Sequence, residues 1–133
     1  MHVQPHLEAI ERFRAKEALA LSLYLDLSTP TARAKAAQRA FALVCEALRR
    51  AGLDRNDGLS RVAEDLELVR LYLKTSAAGR SSSVAFFSCA QELFWRALPL
   101  PGPLAESASV GESFDLGPLR SSLAVEPQGE LAG

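Results

Sequence analysis

An α/β domain is predicted: a small mixed sheet of three to four strands, with a long helical hairpin and a short N-terminal helix packed on it. Three stretches carry that prediction. Ala20 to Pro30 reads ALSLYLDLSTP, with Leu21, Leu23, Leu25 and Leu27 at every second position and Ser22, Tyr24 and Asp26 between them. A strand sends alternate side chains to opposite faces, so this is one leucine face and one mixed face. Thr29 to Lys74 holds two apolar stripes of helical period on either side of a Gly- and Asp-rich turn. VAFFSCA, starting at Val84, is a continuous apolar run, the pattern of a strand buried on both faces.

In chain order, Pro5 to Ala18 predicts a short helix, with Pro5 in its first turn and Leu7, Ile10 and Phe13 as its stripe. This helix and the one after the first strand are expected to pack on the leucine face. Thr29 is a good N-cap and Pro30 a good first helical residue. Ala37, Phe41, Val44, Leu48 and Ala51 then predict an amphipathic helix of about five turns. Arg49 and Arg50 favour its negative end, and Gly52 suits the residue just past it. Gly52 to Gly58 (GLDRNDG) reads as a turn, with Asp57 as cap of the next helix. Leu59, Val62, Leu66, Val69 and Leu73 form that helix's apolar stripe, with Glu64, Asp65, Glu67, Arg70 and Lys74 turned outward and an end before Gly79.

Ser81 to Ser83 lead into VAFFSCA. Ala90 and Gln91 form the turn to a partner strand LFWRAL, with Leu93, Trp95 and Ala97 on one face and Phe94, Arg96 and Leu98 on the other. Pro99 to Pro103 is excluded from a central strand, because proline lacks the ladder donor. Val110 to Leu116 is expected as a last strand, with Gly117 and Pro118 opening a short helix or extended piece through Val125. The strands flanking the helical hairpin are expected to be parallel neighbours, since the crossover is long enough. Residues 1–126 read as one domain. The tail EPQGELAG reads as a linker or truncation, with further domains expected beyond it.

The 133 residues, 48% hydrophobic and 23% charged, suffice for one core. Fifteen basic and sixteen acidic residues give a net charge of −1. No global positive field draws nucleic acid, so any RNA contact needs a local patch. The start MHVQPHLEAIERFR lacks the apolar stretch of a secretory signal, and no run has the length of a membrane span. Cys45 and Cys89 lack CxxC spacing and read as buried free thiols, suited to a reducing cytoplasm. His2 and His6 have helical ligand spacing, but His2 precedes the helix start and no third ligand is near, so no metal or other cofactor is expected. Without a histidine base in the body of the chain, Ser81, Ser82 and Ser83 form no nucleophilic triad. No GxxxxGK[ST] or GxGxxG is present, and the expectation is a non-enzyme.

The segment order LSLYLDLSTP, helical hairpin, VAFFSCAQELFWRALPLP and SFDLGPLRSSL resembles the N-terminal domain of bacterial relatives of archaeal and eukaryotic class-1 peptide-chain release factors, from about Ala20 to Val125. In that family this domain reads the stop codon, through an Asn-Ile-Lys-Ser loop between two long helices. The matching place here is DRNDGLS, where Asn56 and Ser60 echo the motif and the lysine is missing. A second element, Tyr-x-Cys-x-x-x-Phe, falls near Leu123 to Gly129, where LAVEPQG keeps none of its three residues. The Gly-Gly-Gln tripeptide of the family's middle domain is absent from this chain.

The resemblance therefore implies a ribosome- or RNA-associated module without peptide release of its own, with the ribosome, rRNA or mRNA as partner. Its candidate contacts are Arg55, Asn56, Ser60 and Arg61 at the hairpin tip, with Arg33, Lys35 and Arg39 as a second patch. The alternative is a protein-interaction or scaffold domain that has lost RNA binding, favoured by the near-neutral charge and the missing codon-reading residues.

Overall fold

The computed structural model describes residues 3–75 and 82–121. The expectations placed on His2, Gly79, Ser81, Leu123 to Gly129 and the tail lie outside them. The order is α1 (Val3–Arg12), β1 (Ala20–Asp26), α2 (Pro30–Ala34), α3 (Ala36–Arg50), α4 (Arg55–Arg61), α5 (Ala63–Leu73), β2 (Ser83–Cys89), a 3-10 turn (Ala90–Glu92), β3 (Phe94–Leu100) and β4 (Ser107–Gly111). A further helical turn covers 117–121. Among the described residues no helix is long and apolar enough to cross a membrane.

The strands form one four-stranded sheet in the order β3-β2-β1-β4. Every pairing is antiparallel: Leu23 lies opposite Phe86 of β2 and Ala108 of β4, and Phe86 lies opposite Ala97 of β3. The expected parallel neighbours and the mixed sheet are thus corrected. One helix between two strands carries the chain to the far end of the sheet and forces a parallel return. A pair of helices brings it back to the end it left, so the next strand runs the other way. The Leu27 N–H donating to the Ser82 carbonyl at 2.8 Å marks that shared end.

Both faces of the sheet are covered. Leu21, Leu23, Leu25 and Leu27 pack with Val84 and Phe86 beneath Ala36, Ala40, Val44, Ala47 and Leu48 of α3, and Val62 and Val69 at and within α5. On the other face Tyr24, Ala85, Phe87, Leu98 and Leu100 meet Ile10 of α1 and the returning segment at Phe114, Leu116 and Leu119. The N-terminal helix therefore packs opposite the leucine face, which corrects its expected place. The polar side chains of the second face are satisfied there. Ser22 Oγ accepts from Asp115 N–H at 2.8 Å, and the Tyr24 hydroxyl donates to the Asp115 carbonyl at 2.5 Å. Burial, with the Asp115 charge second, pushes the Tyr24 hydroxyl well above the ordinary phenol range.

Thr29 caps α2 as expected, its side chain accepting from Ala32 N–H at 3.0 Å. The long helix is interrupted at Lys35 rather than continuous. The buried stripe of α3 is then Ala36, Ala40, Val44, Ala47 and Leu48, which leaves Ala37 exposed and Phe41 44% exposed. Pro99 does lie within a strand, but β3 is an edge, where a missing donor costs no pairing. Leu93 does not join that strand. It takes a left-handed conformation at φ 64° and is 95% exposed.

Candidate interaction surface

The tip of the helical pair is built by its caps. Gly52, at φ 78°, ends α3 in the left-handed region that favours glycine. The predicted turn after it is mostly helix, because Asp54, not Asp57, is the N-cap and accepts from Asp57 N–H at 3.1 Å. Gly58 allows α4 to lie close on α3, since a Cβ there would come within 2.8 Å of Leu48 Cδ2. The arm is therefore short and braced against the body.

The seven candidate contacts separate into two groups. Arg39 is a fastener: its guanidinium bridges the Glu106 carboxylate at 2.8 Å and donates to the carbonyls of Ala32 and Asp26 at 2.8 and 2.9 Å. Arg33 donates to the Leu27 carbonyl at 2.8 Å, and Arg61 to the Glu17 carbonyl at 2.9 Å. Ser60 turns its hydroxyl back onto the Asp57 carbonyl at 2.8 Å. Lys35, Arg55 and Asn56 stay exposed. The Arg55 guanidinium sits 5.9 Å above the ring of Phe41, at the outer limit of a cation–π contact.

Phe41 was read from the sequence as core, and it stands instead as a ridge between two hollows. One, of about 380 Å³, runs between α3 and α5 and is floored by Ala37, Ala40, Ala63 and Val69 with Leu59 and Leu66 beside them. The other, of about 490 Å³, includes Ala42, Cys45, Glu46, Leu53 and Arg55. Each rim carries a paired charge, Glu67 with Arg70 at the first hollow and Glu46 with Arg49 at the second. The signal for this exposure was the break at Lys35, which shifts the buried stripe around α3. Helix-forming neighbours hide such a break.

Asp65, expected to face outward, is buried. Its carboxylate accepts from Ser88 Oγ and from the Ala90 N–H at 2.9 Å, tying α5 to the end of β2. Desolvation raises its pKa above the ordinary carboxyl value, opposed by those hydrogen bonds. Both cysteines are free thiols, with Cys45 only half-buried. Burial, aided by Glu92 and Asp65, pushes the Cys89 thiol up to about 11, so it is not a nucleophile at neutral pH. Among the described residues no cluster of His, Cys, Asp or Glu is arranged to hold a metal ion. Neither a family model nor a curated protein matches this chain.

Proposed function

We propose that this chain is a ribosome- or RNA-associated module of a release-factor-like translation protein, acting in the cytoplasm and without peptide-release chemistry of its own. The observation that carries the reading is the first turn of α4, which presents Arg55 and Asn56 to solvent beside Phe41 on a helical pair backed by the buried leucine face of the sheet. Those three residues supply what single-stranded or looped RNA recognition uses: a cation for phosphate, an amide for a base edge and an aromatic face for stacking. Lys35 adds a second exposed cation. The order of segments, which resembles that of the release-factor N-terminal domain, supports the same reading.

The test is a titration of ribosomes with the wild-type chain and with an Arg55→Ala/Asn56→Ala variant across a salt series. The variant is expected to bind more weakly, with the log–log salt slope reduced by roughly one unit for the lost phosphate contact. Equal affinities and equal slopes overturn the proposal. The hollows flanking Phe41 favour a second reading, a protein-docking module, because they are apolar and Arg33, Arg39 and Arg61 are engaged within the fold. Ribosome binding that survives high salt and is lost in Phe41→Ala selects this second reading.

A further inference from the structure

Three successive backbone N–H groups, those of Lys16, Glu17 and Ala18, converge on one carboxylate. Glu92 Oε2 accepts from them at 2.9, 2.8 and 3.0 Å, and Oε1 accepts a second contact from Lys16 N–H at 3.0 Å. Consecutive amides pointed into one concavity make an anion-binding nest. This one joins the segment after α1 to the 3-10 turn between β2 and β3, elements 74 to 76 residues apart in sequence. Its surroundings are open, with two cations and two carboxylates. Phe13, Arg14, Lys16, Glu17 and Glu92 line a hollow of about 430 Å³. Arg61 reaches in from α4 to the Glu17 carbonyl. With Glu92 withdrawn, the lining of the hollow keeps Arg14 and Lys16 against one carboxylate, that of Glu17.

We propose that the Lys16–Ala18 nest is a phosphate-binding site that Glu92 closes from within the chain. A phosphate oxygen accepts from the same three donors that now hold Oε2, and the neighbouring cations match its larger charge. Glu92 rides on a three-residue turn whose next residue, Leu93, is left-handed and 95% exposed, so its displacement breaks no buried apolar contact of Leu93. This site uses neither Arg55 nor Asn56, and it stands whether or not the α4 tip meets the ribosome. Sequence gave no sign of it, because a nest is made of backbone and carries no motif.

The experiment follows the amide resonances of Lys16, Glu17 and Ala18 during titration with inorganic phosphate, in the wild type and in Glu92→Ala. Saturable shifts of those three amides are expected in the variant in the millimolar range, with at least a tenfold weaker response in the wild type. No saturable shift in the variant overturns the site, and equal affinities in both proteins overturn its closure by Glu92. Should Glu92→Ala fail to fold, Glu92→Gln keeps the side chain's size, removes its charge and carries the same two criteria. A parallel titration with a single-stranded oligoribonucleotide separates the sources: tighter saturation than by inorganic phosphate assigns the site to nucleic acid, and weaker saturation to a free phosphate.

Discussion

The two faces of the sheet are closed in different ways. Beneath α1 and the returning segment, Tyr24, Phe87, Phe94 and Phe114 form a continuous aromatic cluster with Phe13, ring centroids 4.7 to 5.8 Å apart, and the buried polar atoms there are paired. On the leucine face the helical pair covers the sheet, yet its own outer side leaves Phe41, beside a hollow, at 44% exposure and Leu71 at 48%. One cover closes over its aromatic cluster except at the hollow beside Phe13, and the other leaves apolar surface exposed on its outer side. A single domain that binds something is expected to keep one side rigid and present the other.

The largest break of that contrast is Phe87→Ala. Phe87 is fully buried in the sealed layer, and its loss is expected to lower the unfolding free energy by about 3–5 kcal/mol in urea titration. Phe41→Ala, on the presenting side, is expected to cost less than about 1 kcal/mol in the same assay. Similar losses for the two would erase the distinction between the layers.

Asp65 sharpens the comparison, because it is the buried charge that fastens the helical pair to the sheet. Asp65→Ala strands the Ser88 hydroxyl and the Ala90 N–H and is expected to cost about 1–3 kcal/mol. Asp65→Asn keeps the accepting oxygen. Since the native carboxyl value is raised, its contribution to stability is complete below the unfolded carboxyl range and is lost as pH rises through the native value. The Asn variant is therefore expected to gain on the wild type as pH rises above the unfolded carboxyl range. A difference that stays constant over that rise would contradict the burial of the charge.

The smallest effect concerns the exposed turn. Leu93→Gly relieves a left-handed leucine that makes little buried contact, and a gain of about 1 kcal/mol in thermal or urea unfolding is expected. A loss of stability there would mean that the leucine side chain holds the turn.

What the sequence disclosed follows from periodicity. Alternating leucines identified β1, a continuous apolar run identified β2, and Thr29 with Pro30 located the start of a helix. Strand direction was within reach of the sequence, because the predicted helical hairpin already returns the chain to the end of the sheet it left; the parallel expectation weighed only the length of the crossover. Asp65 carried the pattern of a solvated helix face, and only the adjacent end of β2 makes it a buried fastener. Of the candidate contacts, charge type alone left Arg39 and Arg55 equivalent. Glu106, far away in sequence, engages the first, and the cap at Asp54 exposes the second.

The most direct test of the presenting face is a hydrogen-exchange footprint of the chain on ribosomes, read peptide by peptide. Slower exchange confined to residues 37–61 is the expected result. Slower exchange confined to α1 and residues 112–121, with 37–61 unchanged, would place the contact on the sealed side and contradict it.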